Sequence, residues 1–372
     1  MKEDATFYYI VWVIVLILAL TERIRKKPFN NTVIAAVFMV AAVIVACRVE
    51  VGADWYNYKY IFYNGYDSTG KRDETSIEPA FFLIRTLFFN VGFTHAVFFL
   101  FLSLISLFAI RKAAELLGIK FFMTVFLIYY SMFFLNYQFN IVRHGVMASF
   151  VWLSFAYKSK GEIKAAIISL IVALGFHYIA LIFVPFLFYL DRKISKCVVL
   201  LILVSSYITY FLQFSTRIIS FFPFLFELER TASFVTSNNL VKDAGITLGS
   251  QIQVFLFILL YFRYNEVYQK NKGFRLLVNS LLYNFLLFCI LNAFYAIISR
   301  ICNSLFMSVI FLLPLLLEKI KEPANRLMAE SVIVFYLLFS SLPKAFVVQE
   351  DGFSEMLPYK FEIGQLINQD AK

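Results

Sequence analysis

Apolar residues recur along this chain in continuous runs, not in the alternation of a half-buried strand. The runs last roughly 15 to 20 residues, and a helix rising about 1.5 Å per residue needs about 20 to cross a hydrocarbon core of roughly 30 Å. The pattern predicts spans at 6–21, 31–47, 94–110, 120–139, 141–157, 163–177, 178–190, 196–212, 249–264, 275–297, 301–317 and 329–347, about twelve in all. The pair 163–177 and 178–190 requires a turn at Gly175-Phe176-His177. Ala80–Phe93 is also apolar, but it carries Arg85 and Asn90 and is bounded by Pro79 and Gly92. That segment is too short to span and predicts an interfacial or re-entrant helix.

Composition agrees with this pattern. Of 372 residues, 61% are hydrophobic, 16% charged and 19% aromatic, and the mean hydropathy is +0.77. Soluble domains carry about a quarter charged residues, and a membrane β-barrel would show alternating segments of about ten residues. The fold class expected is an all-α polytopic membrane protein, one membrane domain over 1–372. Phe7–Leu20 is flanked by Lys2, Glu3 and Asp4 before it and basic residues after it, with no small-residue cleavage site, so it reads as the first span. Cys47, Cys197, Cys289 and Cys302 lie singly in apolar stretches, which offers no disulfide framework or zinc spacing.

The formal net charge of +10 invites a nucleic-acid reading until it is sorted by side. Basic clusters fall on alternate loops: Arg23 to Lys27, Arg111 to Lys120, Lys158 to Lys164, Arg192 to Lys196, Arg263 to Arg275 and Lys319 to Arg326. These hold 20 of the 34 basic residues, against only 8 of the 24 acidic ones on the same side once the loop edges are counted. The positive-inside rule places them in the cytoplasm and both termini outside. Net charge then reports topology, and nucleic acid loses its support as a partner. Three longer stretches fall on the outer side: 48–93 with its interfacial helix, 213–249, and the tail 348–372. Long connections of this kind tend to carry function.

Ionisable residues near the spans collect on that outer side. They are Arg48, Asp54 and Tyr58 around Gly52; Glu78 before Pro79; Arg143, with the neutral Gln138 beside it, in the turn between the fourth and fifth spans; His177; Arg300; and Tyr359. Arg217 and Arg230 lie in the loop 213–249. Each has an ordinary alternative: Arg48 and Arg300 as snorkelling side chains, His177 as a packing residue, Asp54 as a helix cap, Tyr58 as part of an aromatic belt. Arg143 is hardest to explain so, because a cation in a short outer turn goes against the charge rule. Recurrent arginines suit a phosphate or pyrophosphate, and a nearby carboxylate or imidazole suits removal of a proton from a hydroxyl. No aspartate-rich metal motif occurs, so leaving-group charge would fall to arginine.

The ordered set Arg48-x-x-x-Gly52-x-Asp54-x-x-x-Tyr58, Glu78-Pro79-Ala80-Phe81, Gln138-x-x-x-x-Arg143-x-Gly145, Phe176-His177-x-x-Ala180, Ser299-Arg300 and Pro358-Tyr359 resembles the EpsG family of Wzy-type polysaccharide polymerases. His144 stands where many relatives have Gln. The resemblance implies a membrane glycosyltransferase of GT-C-like fold in the bacterial inner membrane, with its site facing the periplasm. It would join oligosaccharide repeat units carried on undecaprenyl pyrophosphate, with no cofactor and no metal, in O-antigen, capsule or exopolysaccharide synthesis. The bilayer, a chain-length regulator and a flippase are the further partners implied. Carried onto this chain, Arg143 and Arg300 would bind the donor pyrophosphate, with Arg48 assisting them or pairing with Asp54. Asp54, ahead of Glu78 and His177, would serve the acceptor hydroxyl, with Tyr58, Gln138, Arg217, Arg230 and Tyr359 as secondary contacts. A ligase, a flippase or transporter, and a non-catalytic assembly factor are the alternatives. Spans poor in buried charge and lacking internal symmetry speak against transport.

Overall fold

The structure is a computed structural model and describes residues 5–65, 77–214, 246, 248–292, 295–346 and 355–367. Among these, every regular element is helical, and extended pairing is confined to one isolated antiparallel bridge between Arg48 and Phe361. The helices are α1 (Thr6–Arg25), α2 (Asn31–Ala46), α3 (Trp55–Asn64), α4 (Pro79–Val91), α5 (His95–Leu116), α6 (Phe122–Tyr129), α7 (Val142–Ser159) and α8 (Ile163–Phe176). They continue with α9 (Val184–Tyr189), α10 (Lys196–Phe211), α11 (Leu248–Arg263), α12 (Asn265–Lys270), α13 (Lys272–Leu291), α14 (Tyr295–Phe306), α15 (Val309–Lys319) and α16 (Pro323–Tyr336).

Each of the twelve expected segments is helical over most of its length, because an apolar run in lipid must satisfy its own backbone. Among the described residues, five helices are long and apolar enough to cross a membrane: Thr6–Arg25, His95–Leu116, Lys272–Leu291, Ile298–Lys319 and Pro323–Phe346. The others are shorter. The segment 80–93 forms α4, with Phe81 and Arg85 turned inward and Leu83 and Leu87 outward.

Outward faces are apolar too. On α1, Tyr8, Trp12, Val15, Ala19 and Glu22 form the buried stripe, whereas Ile10, Ile14, Ile17 and Ile24 on the opposite side are exposed. Hydrocarbon, not water, suits such a face.

The chain forms two compact units, Met1–Phe183 with Leu313–Lys372, and Val184–Leu312. In the first, α5 packs on both α2 and α7, and α8 runs along α7. Past Tyr129, α6 widens into π-helical turns over Tyr130–Phe134 and Asn136–Asn140. Such turns are uncommon and concentrate near functional sites, since the extra residue re-aims the side chains that follow. Here they precede Arg143. In the second unit, α13 packs against α10, α11 and α14.

Candidate active site

Two helix ends create the site in the first unit. Pro79 occupies the first position of α4, where its missing N–H costs no bond, and Glu78 precedes it as the cap residue. His177 stands where α8 stops, in extended backbone. Ala80 lies against Gly175 so closely that a Cβ on Gly175 would stand 2.6 Å from the Ala80 Cβ. This contact brings the carboxylate of one helix end to the imidazole of the other, with Glu78 Oε1 3.9 Å from His177 Nδ1.

The second Glu78 oxygen lies 2.5 Å from Nη1 of Arg143, which sits in the first turn of α7. Both partners are more than nine-tenths buried, so each charge depends on the other. Arg143 is flanked by the rings of Tyr58 at 5.8 Å and Phe81 at 5.4 Å, and its backbone N–H donates to the Tyr58 hydroxyl at 3.4 Å. Its Nε is buried without a hydrogen-bond partner among the described residues. His177 Nδ1 accepts from the Ile179 N–H at 3.3 Å, so the neutral ring carries its proton on Nε2. The His144 ring stands edge-on to that of His177 at 5.5 Å.

The turn after α2 supplies the adjoining wall. Gly52 has φ +98°, and a Cβ there would meet the Phe139 carbonyl oxygen at 2.5 Å, so only glycine fits the turn. Asp54, half-exposed, precedes α3, and Tyr58 lies one turn further on. Burial holds the Tyr58 hydroxyl above its ordinary pKa, a shift that Arg143 opposes and Asp54 reinforces.

Arg48 opens the same turn. It is fully buried; its Nε donates to the Val51 carbonyl at 3.1 Å, Nη2 to that of Phe139 at 3.2 Å, and Nη1 to that of Val45. The rings of Phe99 and Phe139 lie 4.7 and 4.9 Å from it. Burial pulls its pKa down to about 10, which leaves it charged at neutral pH. With its donors committed to main-chain carbonyls in a closed environment, Arg48 braces the turn.

Tyr359 belongs to the same brace. Its hydroxyl donates to the Ile44 carbonyl at 2.8 Å, and its ring stacks on Phe7 at 4.0 Å. The tail holds the turn through Val49 N–H to Lys360 O at 3.1 Å, Glu362 N–H to Cys47 O at 2.8 Å, and Lys360 Nζ to Glu50 at 2.7 Å. Asn140 joins tail to turn. It accepts from the Ala53 N–H at 2.8 Å and donates to Glu355 Oε2 at 2.9 Å.

The structure thus gathers Arg143, Glu78, His177 and Tyr58, with Asp54 beside them, while the side chains of Arg48 and Tyr359 donate to main-chain carbonyls. Gln138 is buried and donates to the Tyr129 hydroxyl at 3.0 Å, while its Oε1 has no hydrogen-bond partner among the described residues. Arg300, half-buried, belongs to α14 of the second unit. Arg217 and Arg230 lie outside the described residues. Sequence reading missed Glu355 and Tyr129, which are joined to Asn140 and Gln138 only in space. It took Gly175 for a turn, although the small-residue pair Ala80 and Gly175 beside two ionisable residues was an available signal of close packing.

A model of the EpsG family matches residues 31–361. No curated protein matches the chain, and neither does any solved structure.

Proposed function

The chain belongs to the EpsG family, and from that premise we propose that it polymerises oligosaccharide repeat units carried on undecaprenyl pyrophosphate. A polysaccharide polymerase in a multi-pass membrane protein needs a donor that lipid can hold and a site that binds its charged linker. The observation that carries the reading is the buried Arg143, paired with Glu78 on one side and holding an unpaired Nε on the other. A diphosphate oxygen is a suitable acceptor for that N–H, and a guanidinium accommodates it with two parallel bonds.

In the step proposed, an acceptor hydroxyl oxygen attacks the anomeric carbon of the donor chain. The bond from that carbon to the diphosphate oxygen breaks, and undecaprenyl diphosphate leaves with the electron pair. Arg143 takes up the charge that grows on the leaving oxygen. The hydroxyl proton passes to Asp54, which is half-exposed and therefore open to an acceptor, whereas Glu78 is committed to Arg143 and His177 borders that pair. Glu78 and His177 act as positioning residues, Arg48 and Tyr359 as the brace behind Asp54. Both substrates of a polymerase carry a diphosphate, so Arg300 of the second unit serves as a separate diphosphate ligand. We place the reaction on the outer face of the inner membrane, on the charge distribution along the chain.

Proteoliposomes given lipid-linked repeat units test this directly. Release of one undecaprenyl diphosphate for each new glycosidic bond supports a polymerase. Release with no lengthening of glycan overturns it in favour of hydrolysis or transfer elsewhere, and no release in either leaflet orientation overturns the enzymatic reading.

A further inference from the structure

Two amides in the second unit are only half satisfied. Asn284 of α13 is 2% exposed and donates from Nδ2 to Gln253 Oε1 of α11 at 2.7 Å, yet its Oδ1 is buried with no hydrogen-bond partner among the described residues. Gln251 of α11 accepts at Oε1 from the Tyr207 hydroxyl of α10 at 2.7 Å, while its Nε2 is likewise buried and unmatched. One orphan is an acceptor and the other a donor.

Asn279, on the same helix, shows what a purely structural asparagine does. Its Nδ2 donates to the carbonyls of Leu190 at 2.8 Å and Arg192 at 2.9 Å, and its Oδ1 accepts from the Tyr268 hydroxyl at 2.8 Å. Every polar atom of that side chain has work within the fold. A buried amide left short is costly unless something else completes it.

The unmatched pair lies at one end of this unit. Gln251 is near the start of α11, Tyr207 near the end of α10, and Asn284 in the later half of α13, all within about 5 to 11 Å of those ends at about 1.5 Å per residue. The Cys302 thiol donates to the Asn284 carbonyl at 3.7 Å, which ties α14 to α13 at that level. Arg300 is two residues away on α14. The described acidic residues of the unit, Asp191 and Glu266, belong with the other end, beside the starts of α10 and α12. A ring contact between Tyr207 and Phe285 at 5.2 Å supplies an apolar wall.

We propose that this seam is a glycan subsite, in which Asn284 and Gln251 hold hydroxyls of a neutral sugar and Arg300 holds the phosphate to which that sugar is linked. A hydroxyl both donates and accepts, as the two orphan atoms require, and neutral amides favour a polyhydroxyl ligand over a cation. The inference rests on the lipid-linked substrates proposed above.

The test compares two probes on protein held in an amphipol free of sugar detergents: undecaprenyl-diphosphate-linked glycan extracted from the producing cells, and undecaprenyl diphosphate alone. Wild type is expected to bind the glycan-bearing lipid at least ~10-fold more tightly, since losing hydrogen bonds to buried polar groups is heavily penalised. In Asn284→Leu and in Gln251→Leu that advantage falls to within about 2-fold while undecaprenyl diphosphate alone still binds as in wild type, although leaving Gln253 or Tyr207 unmatched lowers the thermal midpoint. Arg300→Ala weakens both probes together. Leucine variants that keep the full advantage overturn the subsite, as buried water would then complete the amides. Variants that lose thermal stability and both affinities in parallel also overturn it. Equal wild-type binding of the two probes overturns the subsite alone, whereas binding of neither overturns the proposed function and this inference with it.

Discussion

Ala80 and Gly175 meet with no room for a second methyl group: a Cβ on Gly175 would stand 2.6 Å from that of Ala80. That contact fixes how Glu78, two residues before Ala80, faces His177, two residues after Gly175. Gly175→Ala should therefore separate α4 from α8, lowering stability by about 1–3 kcal/mol and reducing polymerisation. Adding Ala80→Gly should recover most of both, apart from the ~0.5–1 kcal/mol that glycine costs in a helix. Thermal unfolding and polymer yield of the two variants check this coupling; equal loss in the single and double variants would contradict it.

Arg48 and Arg143 should separate in the same two measurements. Arg48→Ala orphans the carbonyls of Val45, Val51 and Phe139, so the protein should lose thermal stability, about 1–3 kcal/mol for each buried group left unmatched. Arg48→Lys supplies a charge but cannot reach three carbonyls as the planar fork does, and should recover only part.

At Arg143 the informative change is to lysine. Arg143→Ala leaves the Glu78 carboxylate, 6% exposed, without its counter-charge and is expected to cost about 3–5 kcal/mol. Arg143→Lys keeps the charge and loses the fork, so stability should stay near wild type while turnover falls about 10²-fold or more. A lysine variant with normal turnover would remove Arg143 from the leaving-group site.

The tail should loosen in acid. Hydrogen bonds from Lys360 and then Tyr56 hold the Glu50 carboxyl below its ordinary value of 4.5. A depressed carboxylate pKa stabilises the docked form fully above that ordinary value, and the contribution is lost as pH falls through the depressed one. A spin label at Ile367→Cys, an exposed position in the tail, should gain mobility below pH 4.5. Glu50→Gln should show no such step.

The apolar runs made the helices legible, because a backbone in hydrocarbon has few other options. Arg143 was legible too, since the positive-inside rule leaves a cation in an outer turn unexplained. The contacts of Arg48 were not: its partners are main-chain carbonyls, which every residue carries and no motif marks. The same holds for Asn140 and Glu355, 215 residues apart and joined by one hydrogen bond. The π-helical turns at 130–140 were hidden because their apolar pattern also fits an ordinary helix. Asn284 and Asn279 looked equivalent as letters, and only their partners distinguish them.

Incubating the purified protein with undecaprenyl-pyrophosphate repeat unit alone, without nucleotide sugar or another acceptor, tests the central claim most directly. The wild type is expected to build a ladder of glycans differing by one repeat unit, and Arg143→Lys, folded to the same thermal midpoint, is expected to build almost none. A folded, monodisperse wild type that yields no ladder, or a lysine variant that yields a normal one, would contradict it.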